Sequence, residues 1–153
     1  MNNKKYTRIL FVVYLLLLVK VILFKYPLTQ IKEIVDSWQS DVFWEGLHRA
    51  NFEWFRTIKL YTRYWERTEI NSFGNLIGNV IVFVPFGFFM PELFQKSKKL
   101  LVYMGQLLFL VLGLELIQLY TNFGVFDVDD ILLNCLGGLL GFFFYKLINH
   151  LKK

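Results

Sequence analysis

An all-α, integral membrane four-helix bundle is the fold this sequence predicts, and three observations predict it. Of its 153 residues 56% are hydrophobic and 19% aromatic, with a mean hydropathy of +0.44. The apolar residues gather in four stretches long enough to cross a bilayer. The charges between those stretches alternate in sign, as the connections of a multi-pass protein do. Composition this apolar excludes intrinsic disorder. A single cysteine, Cys135, lying inside an apolar run, excludes a disulfide-stapled secreted module.

The first span is Ile9–Phe24. Fourteen of its residues are Leu, Ile, Val or Phe. At roughly −0.45 kcal/mol each they outweigh about +3 kcal/mol for Lys20, which can also snorkel to the nearby interface. No small-residue cleavage site follows Phe24, so the stretch reads as an anchor and not as a signal peptide. Residues 25–70 then form an aromatic-rich extracytoplasmic segment, with seven basic and seven acidic residues and all four tryptophans, Trp38, Trp44, Trp54 and Trp65. Indole rings favour the headgroup zone. Stretches such as Ile31–Trp38 and Trp54–Trp65 mix aromatic and charged residues as interfacial amphipathic helices do. A packed cap with these aromatics in its core is the alternative.

The second span is Leu76–Met90 with extension toward Asn71, giving about 71–92. The third is Leu100–Tyr120, and the fourth Ile131–Ile148, about 130–148 with its flank. Together these segments make one membrane domain over residues 1–153.

Charge fixes direction. Lys4, Lys5 and Arg8 precede the first span, Lys96, Lys98 and Lys99 join the second to the third, and Lys152 and Lys153 follow the fourth. The turn between the third and fourth spans carries Asp127, Asp129 and Asp130 with no basic residue. The positive-inside rule therefore puts both termini and the lysine turn in the cytoplasm, and residues 25–70 and the acidic turn outside. The protein is expected to be a multi-pass component of the cell membrane. The net charge of +5 and pI near 9.3 reflect this orientation; scattered basic residues in an aromatic segment make no nucleic-acid footprint.

Each of the last three spans carries a polar stripe at helical spacing. Asn71, Asn75 and Asn79 fall at i, i+4, i+8; Glu115, Gln118 and Asn122 at i, i+3, i+7; and Asp127, Asp130 and Asn134 likewise. Each set shares one helix face. In the topology above all three lie in the outer half of the membrane, where they can meet in one polar pocket. Glu115 is the carboxylate set inside an apolar run, and such a group costs about 2.5–3.5 kcal/mol at mid-membrane, so it should face partners and not lipid. Amides supply donors and acceptors for the cluster. Helix-to-helix glue is one reading of this pocket; a binding site for a membrane lipid or amphiphilic ligand, roofed by the outer segment, is the other.

Gly74 with Gly78, and Gly137 with Gly141, form G-x-x-x-G pairs that let helix backbones approach closely. Pro85 should kink or loosen the second span. No metal site and no cofactor site is legible: His48 and His150 fall on opposite sides of the membrane, and Cys135 has no partner nearby. The glycines sit in transmembrane runs and form no phosphate loop. Ser72 has no histidine beside it to act as base.

These residues carry a resemblance. The run NLIGNVIVFVPFGFFMP, Asn75–Pro91, resembles the N-x-x-x-N-x-x-x-F-x-P-x-G signature of VanZ-like membrane proteins. ELIQ (Glu115–Gln118) and FDVDDILLNCLGGLLG (Phe126–Gly141) are similar to that family's later motifs. Arg49 with NFEWFRTI (Asn51–Ile58) is similar to its R-x-N-L-x-P-F-x-T-I segment, with Trp54 in place of the usual proline. Many members carry an arginine just before the F-D-x-D-D run. Here Asn122, Phe123 and Gly124 stand there, so Arg49 or Arg56 would have to supply a pocket cation. The resemblance implies a small integral membrane protein of Gram-positive-type bacteria, in a family whose namesake is associated with low-level resistance to the lipoglycopeptide teicoplanin.

The expected pocket residues are thus Asn75, Asn79, Glu115, Gln118, Asp127, Asp130, Asn134 and Arg49. A non-enzymatic binder of an amphiphile or lipid headgroup is the first functional expectation. The alternative is a membrane-embedded enzyme acting on a lipid-linked or phospholipid substrate, with Glu115 or Asp130 as acid/base, a role suited to desolvated carboxyls. A purely structural partner of another membrane protein is the third.

Overall fold

A segment that crosses a bilayer must close its backbone hydrogen bonds internally, and the computed structural model of this chain is accordingly helical. It describes residues 3–24, 27–38, 41–63 and 71–152. Among these are seven α-helices: α1 (Asn3–Leu23), α2 (Leu28–Asp36), α3 (Val42–Arg49), α4 (Arg56–Arg63), α5 (Asn71–Leu93), α6 (Leu100–Thr121) and α7 (Val128–Leu151). The four long ones, α1, α5, α6 and α7, are long and apolar enough to cross a membrane. They match the four expected spans, with α1 beginning earlier and α7 running a few residues further at each end. A 3-10 turn, Gln95–Lys98, joins α5 to α6.

The spans alternate in direction. α1 runs antiparallel to α5: Phe11 packs on Phe86 and Phe89, and Tyr14 packs on Phe89 while its hydroxyl donates to Val82 O (2.9 Å). Pro85 lacks the N–H that would bond Ile81 O, yet α5 continues through it; the Tyr14 hydroxyl meets the neighbouring carbonyl, Val82 O. α6 runs back against α7 and α1, with Tyr103 stacked on Phe142 of α7 at 4.7 Å and reaching Phe86 of α5. The core is built on Leu18, Phe83, Tyr103, Leu107 and Val111, all essentially inaccessible. One end of the bundle therefore carries the chain start and the lysine turn. The other carries α2, α3, α4 and the acidic turn.

The two G-x-x-x-G pairs part company. α5 and α7 run parallel with Gly137 against Val80 O and Gly141 against Val84 O, so close that a Cβ on either glycine would collide with backbone. That pair does what close packing in lipid requires. Gly74 and Gly78 do not: nothing lies within 4 Å of where their Cβ atoms would stand. They border a cavity instead.

The segment between α1 and α5 holds α2, α3 and α4, of which the sequence pattern picks out α2 and α4. α3 lies on α6 through Gly46, where a side chain would collide with Leu119 O, and through Phe43, stacked on Tyr120 at 4.9 Å. The three described tryptophans do not form the core of a packed cap: Trp38, Trp44 and Trp54 keep 42%, 59% and 53% of their surface exposed. Trp65 and the side chains of Asn71 and Ser72 lie outside the described residues.

Candidate functional site

The acidic turn organises the site, beginning with its capping requirements. A helix start leaves backbone N–H groups without partners, and they are met by acceptors or not at all. Asp127 is the N-cap of α7 and accepts from Asp129 N at 2.8 Å. Its own N–H, buried here, donates to Glu115 Oε2 at 3.1 Å. Asp127 also takes the Asn51 side-chain amide (2.8 Å) and the Thr57 hydroxyl (2.5 Å). The backbone follows: Asn51 N donates to Phe126 O and Val128 N to Asn51 O, an isolated parallel bridge.

Asp129, fully buried, caps a helix that is not its own. Its two oxygens accept from Phe55 N (2.5 Å), Thr57 N (2.8 Å) and Ile58 N (3.1 Å), the orphan donors at the start of α4. A carboxylate at a helix N-terminus also meets the positive end of the dipole. Phe55 has φ 63°, a left-handed conformation that costs a bulky residue about 1–3 kcal/mol. The bond to Asp129 holds it there. Asn51, Thr57, Asp127 and Asp129 thus form a latch that fixes residues 51–58 over the start of α7.

Beneath the latch lies a cavity of about 430 Å³. Thr57 and Tyr61 of α4 roof it, and Val21 and Ile22 of α1 form an apolar side. Of the residues expected from sequence, Asn75 and Asn79 reach it from α5, Glu115 and Gln118 from α6, Asp127 from the turn, and Asp130 and Asn134 from α7. The structure brings these seven together. Asn79 Nδ2 donates to Asp130 Oδ1 at 2.5 Å, tying α5 to α7 across the wall. Gln118 Nε2 donates to Ile22 O at 3.1 Å, meeting a carbonyl in the last turn of α1.

Arg49 does not join them. It ends α3, which packs on α6 away from the cavity, and its guanidinium reaches Gly124 O at 3.4 Å. Arg56 is exposed and does not line the cavity either. Asn122, third in the α6 stripe, leaves the cavity for α3 because it is the left-handed C-cap of α6 (φ 55°), and donates to Val42 O. Among the described residues no group of His, Cys, Asp and Glu is arranged to hold a metal.

Sequence reasoning missed Asn51, Thr57, Tyr61 and the role of Asp129. Helical periodicity cannot find them, since they act across a gap of about seventy positions. The T-I and N of the Asn51–Ile58 motif were the available signal.

Comparison with known proteins follows the same residues. The family model VanZ/LLP1 matches residues 11–149, which takes in all four spans, the latch and the cavity. Protein VanZ of Enterococcus faecium is 31% identical over 111 residues, covering 71% of this chain and 68% of that protein. No solved structure matches. With four candidate spans and a match of this extent, the chain is a multi-pass membrane protein that belongs to the VanZ/LLP1 family.

Proposed function

We propose that this protein sits in the cell membrane with both termini cytoplasmic, and binds an amphiphile or lipid headgroup in a polar cavity at the outer leaflet. In doing so it contributes to protection against lipoglycopeptides such as teicoplanin. The observation that carries this reading is the meeting of amide and carboxylate side chains from α5, α6 and α7 around one cavity of about 430 Å³, a volume in the range of small-molecule sites. Orientation is supported by charge: the three basic segments belong to the end of the bundle opposite the cavity. The exposed indoles of Trp38, Trp44 and Trp54 around the cavity end suit a headgroup zone.

A second reading is favoured by Glu115 and Asp130 sharing the cavity: catalysis on a lipid-linked or phospholipid substrate with one of them as acid/base. Product formed from added lipid separates it from binding alone.

The test is a drug-susceptibility assay in a sensitive host. Glu115→Gln keeps the shape and an acceptor for Asp127 N while removing the charge, and Glu115→Leu removes both. For a functional carboxylate, each variant loses protection while expression and topology stay intact. A Glu115→Gln variant with full protection contradicts the reading, because an amide replaces most of a helix-to-helix hydrogen bond averaging about 0.6 kcal/mol. Orientation has its own test. In a Cys135→Ser background, Glu45→Cys should label on intact cells with a membrane-impermeant thiol reagent and Gln95→Cys should not, both positions being exposed. The reverse pattern moves the cavity to the cytoplasmic leaflet.

A further inference from the structure

Arg56 has no place in the cavity, and the reason is the side of α4 on which it stands. Thr57 and Tyr61, spaced i and i+4, turn toward the cavity and roof it. Arg56, Lys59 and Arg63 fall at i, i+3 and i+7, so they share a face nearly opposite that roof. All three are exposed. Leu60 lies among them, also exposed, and Phe52, Trp54 and Phe55 are exposed just ahead of the helix.

The protein does not neutralise these cations: among the described residues none of the three side chains has an ion-pair partner. The acidic groups that face this segment from the start of α7, Asp127 and Asp129, are engaged on its inner side. They take the Thr57 hydroxyl and the N–H groups of Phe55, Thr57 and Ile58. Glu53 stands exposed before the helix. The level of α4 is fixed as well, because Asp129 in the first turn of α7 caps it where a membrane span begins. That is the depth of lipid headgroups. α4 has eight residues and buries none of them fully, so it is too short to stand on its own hydrogen bonds.

We propose that the outer face of α4 is a docking surface for anionic lipid headgroups, with Arg56, Lys59 and Arg63 on the phosphates and Trp54, Phe55 and Leu60 set into the hydrocarbon boundary. Cations beside exposed rings and a leucine match a leaflet that is anionic at its surface and apolar just beneath. An acidic protein partner would use the cations but has no need of the hydrocarbon beside them. Long basic side chains reach phosphates while their stems lie along the apolar layer. The surface is separate from the cavity and stands whatever the cavity binds. Through it, the charge of the leaflet holds down the helix that roofs the cavity.

The test uses the full-length protein with a polarity-sensitive fluorophore on Leu60→Cys, in a Cys135→Ser background, reconstituted in nanodiscs. Replacing phosphatidylcholine by a mixture rich in phosphatidylglycerol should shift the emission to the blue. Salt at about 1 M, where the Debye length is about 3 Å, should reverse the shift. Arg56→Gln, Lys59→Gln and Arg63→Gln together should abolish the response to phosphatidylglycerol. Each alone should raise the fraction of that lipid needed for half the shift, by up to about fivefold. Lys96→Gln with Lys99→Gln, exposed at the other end of the bundle, should leave the response intact. An equal emission in the two kinds of disc, a response that the triple variant keeps, or one that is lost with Lys96 and Lys99 overturns the proposal. So does an equal shift on adding soluble polyphosphate to phosphatidylcholine discs, which would make the partner a soluble anion and not a lipid surface.

Discussion

Two polar regions share one end of this bundle, and they use their hydrogen-bonding capacity in opposite ways. In the latch, every oxygen of Asp127 and Asp129 has a donor, supplied by Asn51, Thr57 and the first N–H groups of α4 and α7. In the cavity wall a helical turn or two away, Gln118 and Asn134 are as deeply buried but leave their side-chain oxygens unmet. Both regions draw on carboxylate and amide side chains. Satisfied polar groups in an apolar setting hold a fold together, whereas unsatisfied ones subtract from it and need another reason to be there. Tyr103 Oη and Asn122 Oδ1, away from the cavity, are unmet as well, so it is the coincidence of an unmet group with the cavity wall, at Gln118 and Asn134, that marks a site.

Three substitutions can break or sharpen that contrast, with the largest effect expected at the latch. Asp129→Asn puts an NH2 where an oxygen stood, facing either Phe55 N–H or the Thr57 and Ile58 N–H groups whichever way the amide turns. Buried bonds to a charged acceptor are worth about 1.5–3 kcal/mol each, so a loss of roughly 3–5 kcal/mol is expected, read as a large drop in melting temperature in detergent. A melt within a degree of wild type would mean that α4 is not held by this carboxylate. Thr57→Val is isosteric and removes one donor to Asp127, for which about 1–2 kcal/mol is expected in the same measurement. Asn134→Leu, on the cavity wall, stands at the small end of the series.

The sequence made the scaffold plain because the bilayer imposes it. Apolar runs such as Leu100–Tyr120 have one stable conformation in lipid, and the polar stripes on α5, α6 and α7 meet because 3.6-residue periodicity fixes which face each residue occupies. Seven of the eight expected pocket residues consequently reach one cavity. What periodicity could not reach was anything set by a connection. The motif groups Arg49 with the pocket, but its direction is set by how α3 lies on Leu119 and Tyr120. Asn122 continues the α6 stripe in register yet leaves it in space, because the helix ends there in a left-handed cap. Asp129 sits one position from a stripe residue and serves α4, whose first N–H groups it caps across more than seventy positions. Gly74 and Gly78 read the same as Gly137 and Gly141 in sequence; the presence or absence of a neighbouring helix decides between contact and cavity wall.

The central claim, that the polar side chains around the cavity serve a ligand and not the fold, is tested most directly by the unfolding of Asn134→Leu in delipidated detergent. Leucine removes an unmet buried acceptor at similar volume, and removing such a group is neutral or stabilising. The account predicts a melting temperature equal to or above that of the wild type. A fall of several degrees, which at about 2–4 °C per kcal/mol would match the loss expected of Thr57→Val, would make Asn134 part of the scaffold and contradict it.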